Sequence, residues 1–204
     1  MVHHRYASLS GTLIAAALVL GAVPALAASS SFAFKMVRNG ALPSSCLPNA
    51  SANVQIHDAG PVQVMTVQVK GLPPNTDFDF FVIQVPTAPF GMSWYQGDIE
   101  TNAKGYGHGI FIGRFSIETF IVAPGVAEAP QTFEDTPFPS EPSNPKTGAV
   151  QMYHLGLWFN SPADASKNSC PATVTPFNGE HNAGVQVLNT SNFPDLQGPL
   201  INVQ

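Results

Sequence analysis

Five side chains between residues 94 and 102 carry most of the chemistry this sequence offers. In GMSWYQGDIETNAKGYGHG (91–109), an aromatic pair, Trp94 and Tyr95, precedes Asp98, Glu100 and Asn102 at two-residue spacing. Aromatic rings beside hydrogen-bonding acids suit a ligand that stacks and hydrogen-bonds, such as a carbohydrate. Three oxygen-bearing residues at i, i+2 and i+4 also open a calcium loop, but such a loop needs Gly at its sixth position and Glu at its twelfth. Ala103 and Gly109 stand there instead. A turn explains TNAKG (101–105) more simply, with Asn at its start and Gly where a positive φ is needed. The expectation is therefore a hairpin, with Trp94, Tyr95, Asp98, Glu100 and Asn102 as candidate binding residues.

Metal and catalytic chemistry have fewer footholds. His57, His108, His154 and His181 are the histidines beyond residue 27, and none is spaced as H-x-H or H-x3-H. They are metal-ligand candidates only if the fold gathers them, with Met36, Met65, Met92 and Met152 as thioether donors that would suit copper. GMSWY lacks the second Gly of a nucleophile elbow. A glycosidase needs two carboxylates at a set separation, for which Asp98 with Glu100, or Glu134 with Asp135, are the available pairs. No catalytic residue is assigned and no cofactor is expected. An extracellular metal-binding protein (copper or calcium) and a carbohydrate-active enzyme stand as alternatives to a non-enzymatic binding or structural module.

The ends of the chain and its charge narrow the setting. A weakly basic start, an apolar run LIAAALVLGAV and a small-x-small ending at Ala25–Ala27 form the pattern of a secretory signal peptide, residues 1–27. The run is too short for a stable membrane span, which takes about 20 residues. The expected mature domain, 28–204, is a single unit, secreted or periplasmic. Without Arg5 it holds seven basic and thirteen acidic residues, the basic ones scattered. Nucleic acid needs clustered cations, so it is excluded as a partner. Two cysteines in an exported chain, Cys46 and Cys170, predict one disulfide.

The elements that must position these residues read as strands. Apolar residues alternate in FAFKMVR (32–38), NVQIHD (53–58), PVQVMTVQVKGL (61–72) and DFDFFVIQV (77–85), with further runs at 93–101, 106–122, 149–160, 172–177 and 184–189. Phase changes at Val64–Met65 and at Phe80–Phe81 suggest bulges. The 123–148 segment contains six prolines, so it reads as one long Pro-rich loop, with Phe133 and Phe138 as anchors. Strands around 110–117 and 149–160 are apolar on both faces and call for a cover, either that loop or a second copy. Eight or nine short strands point to an all-β sandwich or barrel.

GLPPNTDFDFFV (71–82) resembles the turn-into-strand signature of fibronectin type III and immunoglobulin-like modules, and TNAKGYG (101–107) is similar to a turn of bacterial immunoglobulin-like surface domains. This resemblance implies an immunoglobulin-like antiparallel β-sandwich, and no activity. Neither cysteine lies in an apolar strand, so the core disulfide of antibody-type domains is not expected. The ligand expected is an unknown protein or carbohydrate, with self-association through a second apolar sheet face as a further possibility.

Overall fold

A computed structural model describes residues 31–122 and 149–203. The leader reading of 1–27 and the Pro-rich segment 123–148, with Phe133, Glu134, Asp135 and Phe138, lie outside the described residues.

The alternating segments form antiparallel strands. They are β1 (Ser31–Arg38), β2 (Ser51–Asp58), β3 (Gln63–Lys70), β4 (Asp77–Ile83), β5 (Ser93–Glu100), β6 (Gly107–Gly113), β7 (Phe120–Val122) and β8 (Ala149–Gln151). β9 (His154–Phe159), a short helix α1 (Pro162–Lys167), β10 (Thr175–Pro176), β11 (Asn182–Ala183) and β12 (Gln186–Asn189) follow. Eight strands run in one order, β5-β4-β9-β12-β1-β2-β3-β6, and β7-β8 and β10-β11 form small ribbons.

β1 joins two four-stranded halves. Its residues Ser31–Met36 pair with β2, while Val37 and Arg38 pair with Asn189 and Leu188 of β12. The outermost strands, β5 and β6, meet at the Thr101–Gly107 bridge, which makes the sheet barrel-like. The inner faces share one core, with Met36, Ile56, Met65 and Val67 from one half and Phe78, Phe80, Leu157 and Phe159 from the other. Phe80 stacks on Phe111 across that core at 4.8 Å between ring centroids. Each such ring contributes roughly 2–3 kcal/mol of transfer free energy.

Neither phase change is a bulge in its own strand. β3 pairs without interruption on both sides, to β2 and to β6. It keeps Gln63, Met65, Val67 and Val69 inward, because the buried Gln63 is satisfied by accepting the Phe115 N–H at 3.0 Å. β4 also alternates strictly. Phe78, Phe80 and Val82 enter the main core, while Phe81 and Ile83 join a second cluster with Trp158, Phe90, Phe177 and Ala183. The bulge lies opposite, in β5, where Phe80 pairs with Gly97 but Phe81 pairs with Tyr95, leaving Gln96 as the extra residue. A strand buried on both faces imitates a slipped one in sequence.

That second cluster also supplies the cover for the outer face of β9. It is built from Phe90 and from Phe177 and Ala183 of the β10–β11 ribbon. The outer face of β6 differs, with Ile110 60% and Ile112 71% exposed.

The Cys46–Cys170 disulfide ties the β1–β2 loop to the segment after α1, with a Cα–Cα distance of 4.8 Å. Arg38 organises that loop by donating to the Cys46, Leu42 and Pro43 carbonyls. Ser161 caps α1 by accepting the Asp164 N–H at 3.1 Å, with Pro162 in the first turn. The Ser-Pro-x-Asp signature of a helix start is present in the sequence, although the strand reading passed over it. No helix among the described residues is long and apolar enough to cross a membrane.

Candidate functional site

Register fixes which side chains meet on the outer face of β4 and β5. Asp77 lies opposite Glu100, Asp79 opposite Asp98, and Phe81 opposite Tyr95. On its other edge Asp79 lies opposite Trp158 of β9. Two like-charged pairs therefore sit directly across one strand boundary, an arrangement that destabilises a sheet. Alternation put them there: in D-F-D-F the phenylalanines take the core, so the aspartates must share the other face.

Asp79 is the most constrained of the four. It is fully buried, and neither carboxylate oxygen receives a hydrogen bond. Its β5 partner on this face, Asp98, offers no donor when ionised, and the Trp158 indole N–H on the other side makes no bond to it. It can bond to Asp98 only by keeping its own proton and donating it. Burial first, then the charges of Asp98 and Asp77, push its pKa up to about 7. Burial, then Asp98, also raises Asp77. Asp98, exposed at the mouth, accepts the Tyr95 hydroxyl at 2.6 Å. Burial and that bond hold the Tyr95 phenol above its ordinary range. The result is a buried acid, Asp79, in register behind an exposed Asp98 that Tyr95 holds at the surface.

Above it opens a cleft of about 510 Å³, lined by Phe81, Tyr95, Asp98, Asn160, Phe177 and His181. Phe177 packs edge-on against Tyr95 at 4.9 Å and Phe81 at 5.7 Å, and the His181 ring lies 4.6 Å from Phe177. Asn178 shapes the β10–β11 turn by accepting the N–H groups of Glu180 and His181. The described residues hold two ion pairs, Arg114–Glu118 and Lys167–Asp164, and neither uses Asp77, Asp79, Asp98 or Glu100.

The structure divides the residues singled out in the sequence. Tyr95, Asp98 and Glu100 share this outer face. Trp94 points the opposite way and is 56% exposed beside Ile112 and Phe120, in a separate groove. Asn102 builds the β5–β6 turn: its side-chain oxygen accepts the N–H groups of Lys104 and Tyr106. Gly105 has φ +73°, and a Cβ there would lie 2.0 Å from the Leu72 carbonyl oxygen.

The histidines are dispersed. His57 lies on β2, His108 is exposed on β6, His181 reaches the cleft, and His154 is buried in β9. His154 Nε2 faces the Pro194 and Asp195 carbonyls at 3.1 and 3.0 Å, so it carries the proton, and Nδ1 accepts from the Thr190 hydroxyl at 2.9 Å. Burial lowers its pKa and keeps it neutral. Among the described residues no three His, Cys, Asp or Glu side chains are grouped to hold a metal ion.

Sequence reasoning missed Asp79, Phe81 and Phe177. The signal available was two acid pairs at i, i+2 spacing, Asp77/Asp79 and Asp98/Glu100, on neighbouring strands. No protein-family model matches the chain, and no curated protein matches it.

Proposed function

We propose that this chain is an exported, single-domain, non-enzymatic binding module whose ligand site is the acidic, aromatic cleft over β4 and β5. One observation carries the reading: a fully buried acid without a hydrogen-bond donor lies directly behind the exposed Asp98 of an aromatic-lined cleft. A fold that keeps two like-charged cross-strand pairs gives up stability, and local rules are broken in this way mostly at functional sites. Asp79 is sealed from the cleft, so a ligand meets only one acid of the pair, which favours binding over two-carboxylate hydrolysis.

Export is supported by the leader pattern of 1–27 and by the disulfide. The immunoglobulin-like assignment is part of the proposal. Two antiparallel halves around one core support it, and the continuous strand order through β1 weighs against two separate sheets. Self-association through Ile110 and Ile112 is a further expectation.

Chemical-shift mapping tests the reading. The protein is titrated with oligosaccharides, Ca²⁺, Cu²⁺, Zn²⁺ and small amines. Perturbations centred on Tyr95, Asp98 and Phe177 are expected from at least one probe. Perturbations confined to the Trp94–Ile112 groove or to scattered histidines would place the site elsewhere.

A further inference from the structure

We propose that the cleft takes an organic cation, an alkylammonium head group seated between the Asp98 carboxylate and the rings of Tyr95, Phe81 and Phe177. This rests on the cleft being the ligand site. Three observations carry it further. First, Asp77, Asp79, Asp98 and Glu100 crowd one face, and no lysine or arginine among the described residues is paired with any of them. A cation at Asp98 offsets the charge that Asp98 places on both Asp77 and Asp79, whereas a neutral ligand does not. Second, the walls are aromatic, and ammonium groups are attracted to ring faces within about 6 Å. Third, about 510 Å³ fits an organic group better than a bare ion, and the described carboxylates and imidazoles do not converge as metal ligands.

Binding of a cation there also carries a proton count. The groups around Asp79 are Asp77 on its own strand, Asp98, Glu100 and Tyr95 from β5 and Trp158 from β9, with Asp164 of α1 near Asp77; His181 faces the cleft, from which Asp79 is sealed. A cation arriving at Asp98 favours the charged form of its neighbour, so Asp79 should release its proton when the ligand binds near neutral pH.

The test uses the mature protein, with choline, its neutral carbon isostere 3,3-dimethylbutan-1-ol, and Nα-acetyl-lysine amide as probes. Ring resonances of Tyr95 and Phe177 and the binding heat are followed in buffers of different ionisation enthalpy. Choline should bind at least about tenfold tighter than the isostere, weaken with salt, and release a fraction of a proton. Asp98→Asn should lose about tenfold in affinity, while Tyr95→Phe, which keeps the ring, should lose less. Tighter binding of the lysine amide than of choline would identify a protein side chain as the source of the cation. Equal binding of choline and its isostere, or an unaffected Asp98→Asn, would overturn the cationic assignment while leaving the cleft as a site. No shift at the cleft with any of the three, together with an oligosaccharide response there, would also overturn it. Silence at the cleft with every probe would overturn both readings.

Discussion

Two ends of one sheet face treat buried polar groups in opposite ways. Toward β12, each such group is matched. Gln186 donates to the Pro86 carbonyl and accepts from Asn39 and Asn189, Asn189 accepts the Ser191 N–H, and Thr190 serves both His154 and the Leu155 N–H. Toward β5, Asp79 lacks a donor and Asp98 and Glu100 stand opposite other acids; Trp158 on β9, between the two ends, has an indole N–H without an acceptor. The first arrangement specifies a fold, because satisfied networks rigidify and removing one member strands the others. The second costs stability, and the cleft above it gives that cost a use. Burial alone does not separate the two, since His154 and Asp79 are both fully buried. The count of partners does.

The largest losses are expected at the disulfide and at Gln186. Cys46→Ser with Cys170→Ser should cost up to about 5 kcal/mol, by the loop entropy of a 124-residue separation, and urea melts under reducing and oxidising conditions would show it. Gln186→Leu strands Asn39, Asn189 and the Pro86 carbonyl, and should cost about 3 kcal/mol in the same melts. A loss below about 0.5 kcal/mol would mean the network is incidental.

The two ends should also respond to pH in opposite senses. Unfolded, Asp79 loses its proton near 3.8; folded, it holds it to about 7. Between those values only the folded chain keeps the proton, so its contribution is full below pH 3.8 and falls away as pH rises to 7, by up to about 4 kcal/mol. His154 works the other way. Its folded pKa is depressed, so stability is lost as pH falls through the unfolded value of 6.5. Asp79→Asn should therefore remove the fall between pH 3.8 and 7 and leave a curve that rises toward neutrality. Thermal melts from pH 4 to 8 would show it, and an unchanged curve would contradict the assignment. The smallest effect is expected at Tyr95→Phe, which loses one exposed hydrogen bond to Asp98 and should change stability by less than about 1 kcal/mol.

Much of the fold was legible because period-two alternation is a direct consequence of pleating. Asn102 and Gly105 announced the β5–β6 turn, and the two cysteines announced their bridge. The candidate site was half legible. Tyr95, Asp98 and Glu100 stood out as residue types, but their meaning depends on Asp77 and Asp79, twenty residues earlier, being their register partners. The extra residue Gln96 brings Tyr95 and Asp98 to the same side, and no local pattern reports which strand supplies a neighbour. The aromatic cover was hidden for a related reason: Phe177 lies in a two-strand ribbon too short for periodicity. The apolar second face of β4 was misread as a phase slip because a doubly buried strand has no polar side to mark its phase.

Asp79, buried behind the cleft, keeps its proton to about pH 7 through burial and the neighbouring Asp98 charge. The most direct measurement is a ¹³C NMR titration of the Asp79 side-chain carboxyl in the wild type and in Asp98→Asn. The account predicts an apparent midpoint near 7 in the wild type, moving down when the Asp98 charge is removed. A midpoint near 3.8 in both proteins would show that neither burial nor the Asp98 charge acts on Asp79, and the outer face of β4 and β5 would lose its claim to be the site.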